Sequence, residues 1–83
     1  MDGDIGRLRW RCRRGMKELD LLLRAYVDDE YRGADPLLKD AFRRLLDCPD
    51  PLIYDYVLGR IVPPDAALCS LIRQITVPRP NGR

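Results

Sequence analysis

Proline and glycine divide this chain into short segments, and their positions favour helices over any other secondary structure. The pairs Asp35-Pro36 and Asp50-Pro51 each place an N-cap residue before a proline that fits the first turn of a helix. Gly59 is placed to close a helix in the left-handed conformation. Between these points apolar residues recur every three or four positions, and no segment shows sustained alternation. The sequence therefore predicts helices and no sheet.

The apolar residues fall into five stripes with helical spacing. They are Ile5, Leu8 and Cys12; Met16, Leu19, Leu22, Leu23, Tyr26 and Val27; Leu37, Leu38, Ala41, Phe42, Leu45 and Leu46; Leu52, Ile53, Tyr56 and Val57; and Leu68, Leu71, Ile72 and Ile75. We expect the first helix to end near Gly15 and the last to start after residues 63–65. Because the connections are short, we predict an all-α protein, a compact five-helix bundle. A single domain over residues 1–76 precedes a tail, residues 77–83, that its prolines should keep disordered.

The composition points to a protein that works by contact rather than by catalysis. The 83 residues allow one thin core, and the absence of His removes the usual general base and the His-containing zinc sites. Three widely spaced Cys argue against a disulfide framework or a metal knuckle and favour a reducing cytoplasm. No apolar run approaches the roughly 20 residues of a membrane span, and no secretory signal is recognisable. We expect a cytoplasmic protein that is not an enzyme, binds no metal and does not insert into a membrane.

Positive charge is concentrated near the N-terminus. The net charge is only +2, yet positions 5 to 17 contain no acid. The densest charge cluster, Arg-Arg-Gly-Met-Lys-Glu-Leu-Asp at residues 13–20, falls at the junction of the first two predicted helices. A rigid junction can present polar groups to a ligand, so it is the leading candidate site. The alternative is purely structural: Gly15 closes one helix, Glu18 complements the dipole of the next, and the cations form a solvated face.

Three residues around this junction allow more than one interpretation. Arg14 and Glu18 would share a face, and could pair, if a helix ran through Gly15. Trp10 lies off the apolar edge of the first helix, where it is either an interface anchor beside the arginines or a core residue packed on the second or fourth helix. We favour core packing for Trp10. The tyrosines are assigned mainly to packing, Cys12 and Cys69 to buried positions, and no Cys to a nucleophile role.

Arg7, Trp10 and Cys12, followed by residues 13–20, resemble the SdhE family of succinate dehydrogenase assembly factors. The R-G-x-x-E core of that family corresponds to residues 14–18, and the similarity extends over residues 5–76. The resemblance implies a five-helix fold and a role in attaching FAD covalently to the flavoprotein subunit of succinate dehydrogenase, with the fumarate reductase flavoprotein as a related client. It also implies that the factor is not the enzyme and holds no cofactor stably by itself, because FAD is carried by the client.

The resemblance assigns a client-contact surface to this sequence. Its residues are Arg14, Gly15 and Glu18, with Arg13, Met16, Lys17 and Asp20 beside them and Arg7 and Trp10 on the first helix. Gly15 would permit close backbone approach, Arg14 would offer forked donors to a client carboxylate or carbonyl, and Glu18 would accept bonds from client donors. The resemblance favours a monomeric protein of the bacterial cytoplasm.

Two other functions stay open on the residues alone. Five arginines in the first 14 residues suggest nucleic-acid binding. Against that, the remainder of the chain is slightly acidic, with Asp28, Asp29 and Glu30 in a row, and no recognition helix or stacking platform is recognisable. We therefore expect no nucleic-acid partner. An antitoxin-like protein-interaction module is the third interpretation, since a helical bundle can present many surfaces.

Overall fold

Five short α-helices follow one another along the chain. The computed structural model describes the backbone of residues 2–76 and the side chains of residues 5–76. The helices are α1 (Asp2–Arg11), α2 (Lys17–Asp29), α3 (Pro36–Leu46), α4 (Asp50–Val57) and α5 (Ala66–Thr76), with a 3₁₀ turn at Tyr31–Gly33. Residues 2–76 contain no strand, so the predicted all-α, five-helix fold is confirmed. The predicted tail, residues 77–83, lies outside the described residues, and the domain boundary at residue 76 stays a prediction.

The core lies around α5, which packs against α2, α3 and α4, while α1 packs against α2. All five predicted apolar stripes contribute buried residues to one cluster. The ring of Phe42 lies 5.0 Å from that of Tyr26 and 5.7 Å from that of Tyr31, centroid to centroid. Aromatic pairs at such distances add a specific attraction to the burial of their area. The packing role predicted for the tyrosines is confirmed for Tyr26, Tyr31 and Tyr56, and Tyr54 is half-buried.

The predicted helix boundaries are largely correct, but the caps differ in detail. Asp65 caps α5, because its Oδ1 accepts from the backbone N–H of Leu68 at 2.8 Å. Gly59 closes α4 with φ of +78°. Asp35 precedes α3 without a side-chain cap bond, and α4 begins at Asp50 itself. Asp35 occupies the N-cap position of α3 with Pro36 at the start of the helix, as predicted. The N-cap of α4 is Pro49, so the expectation for Asp50 is wrong, and its carboxylate is used elsewhere.

Two further expectations are corrected. The first helix ends at Arg11 rather than near Gly15, because residues 12–16 turn away before α2 begins. Leu37 is 72% exposed although it was placed in the apolar stripe of α3. At 3.6 residues per turn it lies at the edge of the face formed by the buried residues of α3, and it belongs to the first turn of that helix. None of the described helices has the length and apolar content needed to span a membrane.

Candidate functional site

The junction between α1 and α2 is a fixed turn rather than a continuous helix. Gly15 adopts φ of +90°, a backbone conformation that residues with a side chain rarely adopt. Met16 follows in an extended conformation and makes no side-chain cap bond to α2. The carboxylate of Asp20 fastens the turn instead: it accepts from the backbone N–H of Arg14 at 2.8 Å and of Gly15 at 3.2 Å. The first turn of α2 therefore holds the loop that precedes it.

The guanidinium of Arg14 points into the protein. Its Nε donates to Asp50 Oδ1 at 2.7 Å, and its Nη1 donates to the backbone oxygens of Arg11 at 3.1 Å and Leu46 at 2.9 Å. Its Nη2 donates to the backbone oxygen of Cys48 at 2.9 Å. The side chain is only 15% exposed. A cation at these carbonyls also suits the negative end of the α3 dipole. Arg14 thus joins the α1–α2 junction to the α3–α4 junction.

Glu18 forms no hydrogen bond or ion pair with Arg14. The two would have shared a face only if the helix ran through Gly15, and the turn there separates them. Glu18 lies exposed in the first turn of α2, where a carboxylate suits the positive end of the helix dipole. Neither Glu18 nor its exposed neighbour Lys17 forms an ion pair or side-chain hydrogen bond with any residue that the structure describes. Both side chains remain available to a partner.

Trp10 is exposed, so the expectation that it packs in the core is wrong. Its side chain is 69% exposed, and the guanidinium carbon of Arg13 lies 5.2 Å from its ring centroid. A cation over an indole face holds both side chains at the surface with a modest attraction. Arg7 is exposed one turn earlier on the same face of α1, at the (i, i+3) position. The alternative interpretation of Trp10, exposed beside the arginines, is what the structure shows.

A cleft of about 340 Å³ opens beside the turn. It is lined by Cys12, Arg13, Gly15, Lys17, Asp20, Leu21 and Arg24. Four of these belong to the predicted site, whereas Cys12, Leu21 and Arg24 do not. The sequence contained a signal for Leu21, which is apolar but outside the apolar stripe of α2 and is 62% exposed. Arg24 lies one turn beyond Asp20 and so shares its face of the helix.

The site is positively charged but has no catalytic apparatus. Burial raises the pKa of the Cys12 thiol to about 11, which keeps it protonated and unreactive at neutral pH. Residues 5–76 contain no cluster of side chains that could hold a metal ion. Two arginines of α1 have structural partners: Arg9 pairs with Asp28 at 2.9 Å and Arg11 pairs with Asp47. The arrangement can bind acidic groups, and it offers no acid–base pair.

In a comparison with known proteins, one family matches almost the whole chain. Residues 6–77 match the family described as flavinator of succinate dehydrogenase. A protein named FAD assembly factor SdhE from Coxiella burnetii is 44% identical over 69 residues, which cover 83% of this chain and 84% of that protein. A protein of the same name from Shewanella oneidensis is 42% identical over 72 residues, which cover 87% of this chain and 88% of that protein.

A third relative of the same name, from Methylococcus capsulatus, is 44% identical over 70 residues, which cover 84% of each chain. The matched region includes the α1–α2 junction and all five helices except the first residues of α1. The relatives are named as assembly factors and not as enzymes. This chain belongs to the family of succinate dehydrogenase flavinators.

Proposed function

We propose that this protein binds the flavoprotein subunit of succinate dehydrogenase and promotes the covalent attachment of FAD to it, and that it does so as a monomer in a bacterial cytoplasm. The fumarate reductase flavoprotein is proposed as a second client. The family and the names of its relatives support the reaction. FAD is the client's cargo in this proposal, and the factor itself holds no cofactor stably.

One observation carries the proposal: the turn at Gly15 is anchored by hydrogen bonds from inside the protein, and its outer side is exposed. Arg14 and Asp20 fasten the turn, while the side chains of Glu18 and Lys17 next to it form no hydrogen bond or ion pair with described residues. Apart from Gly15 and its two chain neighbours, no described residue has an atom within 4 Å of the position that a Cβ on Gly15 would occupy. A client backbone can therefore approach this glycine closely, on a turn whose backbone is already held in place beside exposed charged side chains.

We assign the contact surface to the predicted set, with a division of roles. The set is Arg7, Trp10, Arg13, Arg14, Gly15, Met16, Lys17, Glu18 and Asp20. Within it the carboxylate of Asp20 and the guanidinium of Arg14 act by holding the turn, because both are engaged internally. The exposed members, Trp10 and Glu18 above all, would touch the client.

The factor would lend geometry rather than chemistry. It has no His to act as a base, and its buried Cys12 stays protonated. The reacting groups are therefore those of the client and its FAD, and the factor's contribution is to hold the client where they meet, which can lower a barrier by several kcal/mol. The ion pairs of Arg9 and Arg11 also reduce the free positive charge of α1, which favours a protein partner over nucleic acid.

The test is covalent flavin fluorescence in a denaturing gel. An under-flavinylated succinate dehydrogenase flavoprotein subunit is incubated with FAD and a dicarboxylate, with and without this protein. The matched variants are Gly15→Ala and Gly59→Ala, since both glycines have positive φ (+90° and +78°) and open space around the missing Cβ. Both substitutions should lower stability by a similar amount, about 1 kcal/mol. A third variant, Glu18→Gln, removes one charge from the exposed surface.

We expect the wild-type protein and Gly59→Ala to raise covalent fluorescence, and Gly15→Ala and Glu18→Gln to raise it much less. Equal activity of the two glycine variants would remove Gly15 from the contact surface. If the wild type gave no increase with a client that becomes flavinylated under other conditions, the proposed function itself would be wrong.

A further inference from the structure

We propose that the cleft beside the Gly15 turn binds an acidic segment of the flavoprotein client, with one apolar side chain of that segment seated on Leu21. This inference rests on the proposed function and extends the contact surface along α2 to Leu21 and Arg24, beyond the residues that the family motif covers. Three properties of the cleft determine what can bind there: its charge, its size, and which of its hydrogen-bond donors are free.

The charge of the cleft favours carboxylates. Arg13, Lys17 and Arg24 bring three cations to its wall, against the single acid Asp20. Both oxygens of Asp20 already accept backbone N–H groups of the turn. Arg24 reaches Asp28 only at 3.9 Å and is 60% exposed, so this pair is weak and can be exchanged for a client carboxylate. The surface therefore attracts acidic chains and orients them.

The apolar part of the cleft favours a peptide over a small anion. A single exposed leucine is ordinary, but Leu21 lies in a concave surface between cations, with the buried Cys12 also in the lining. The exposed ring of Trp10 lies just beyond Arg13, which borders the cleft. An acidic segment with one apolar side chain satisfies both features at once, since apolar contact supplies affinity and charge supplies orientation.

The same geometry argues against a nucleotide. A volume of about 340 Å³ is at the small end for a ligand pocket, and no lining residue is aromatic, so none can stack on a base. Phosphates bind where successive backbone N–H groups point outward. Here the N–H groups of Arg14 and Gly15 are occupied by Asp20. The side chains of the three cations attract a carboxylate or a phosphate alike, so the lack of a stacking residue and of free backbone N–H groups at Arg14 and Gly15 is what argues against a nucleotide.

The experiment measures binding of the full-length protein to the under-flavinylated flavoprotein subunit by calorimetry at low and high salt. Leu21→Glu and Arg24→Glu place negative charge in the cleft. Their matched controls are Leu37→Glu, an exposed leucine of α3, and Arg73→Glu, an exposed arginine of α5. We expect each cleft variant to weaken binding at least about tenfold and each control to stay within about twofold of wild type. The loss for Arg24→Glu should shrink at high salt, because screening reduces the repulsion.

Circular dichroism confirms that each variant is folded, and Leu21→Gln replaces Leu21→Glu if the latter is not. Cleft variants that bind like their controls, while Gly15→Ala has lost binding, would overturn this inference and leave the proposed function standing. Absence of binding by the wild type would overturn both. Binding of ADP or FAD alone to the free protein, lost in Arg24→Glu, would show a nucleotide site and refute the acidic segment.

Discussion

Replacing Arg14 with alanine should destabilise the whole fold, although Arg14 belongs to the motif that the family resemblance places at the client. The substitution removes the donors that reach Asp50 and the backbone oxygens of Arg11, Leu46 and Cys48. These acceptors lie at the ends of α1 and α3, in the connection between α3 and α4, and at the start of α4. The change therefore disconnects two helix junctions at once.

The magnitude follows from the burial of the pair. Hydrogen bonds to a charged group contribute roughly 1.5–3 kcal/mol each, but four bonds from one guanidinium are not additive. The Arg14 side chain is 15% exposed and that of Asp50 is 32% exposed, so water partly replaces the lost donors. We expect a loss of about 3 kcal/mol, the lower end for breaking a buried ion pair. A domain of this size has roughly 4–12 kcal/mol of stability, so the variant should lose between about a quarter and three quarters of it.

Urea unfolding followed by circular dichroism measures the free energy of unfolding. Arg9→Ala is the matched control, because Arg9 also pairs with an aspartate, Asp28, at 2.9 Å, but its side chain is 47% exposed. We expect this variant to lose at most about 1 kcal/mol of stability. Arg14→Lys should recover part of the loss by keeping the charge near Asp50. A stabilising osmolyte such as sucrose should restore client binding to Arg14→Ala. The reasoning is refuted if Arg14→Ala is no less stable than Arg9→Ala.

Two further predictions concern the buried thiol and the single tryptophan. Cys12 should resist alkylation at pH 8 while the two half-buried cysteines react, as peptide mass spectrometry would show, and equal labelling of all three would contradict its burial. Folding raises the pKa of the Cys12 thiol from 9.0 to about 11, so the contribution of the buried neutral thiol to stability is complete below pH 9 and is lost as the pH rises to about 11. The free energy of unfolding should fall by about 2–3 kcal/mol over this range, and a Cys12→Ala variant should not show this fall. The fluorescence of Trp10, 69% exposed, should be quenched by acrylamide almost as strongly in the folded state as in urea, and strong protection in the folded state would place the ring in the core.

The helices could be predicted because their determinants are local. Apolar residues at spacings of three and four, with Pro36, Pro51 and Gly59 at the boundaries, are enough to place α2 to α5 within a few residues. The end of α1 could not be placed in this way. It depends on the turn at Gly15, and the turn depends on Asp20, which reaches back five and six residues to its backbone.

The orientation of the site residues depends on partners far away in sequence. The acceptors of Arg14 on the α3–α4 side lie 32 to 36 residues later in the chain, so no local pattern could show that the guanidinium points inward. For Trp10 the local signal was sufficient, because it lies off the apolar edge of α1. The general tendency of large aromatic residues to be buried led to the wrong preference. The sequence pattern did not predict Leu21 as a site residue, because Leu21 lies beside the apolar stripe of α2 without being part of it.

The R-G-x-x-E motif therefore combines two kinds of residue that sequence alone cannot separate. Arg14 faces the α3–α4 junction and serves the fold, whereas Glu18 and the open side of Gly15 face solvent. Loss of function in an Arg14 variant is thus ambiguous until its stability is known, because an unfolded factor and a factor without its contact give the same flavinylation result. Glu18 lacks that ambiguity, since no described residue depends on its carboxylate. Defects that persist in a stable Glu18 variant report on the client surface directly.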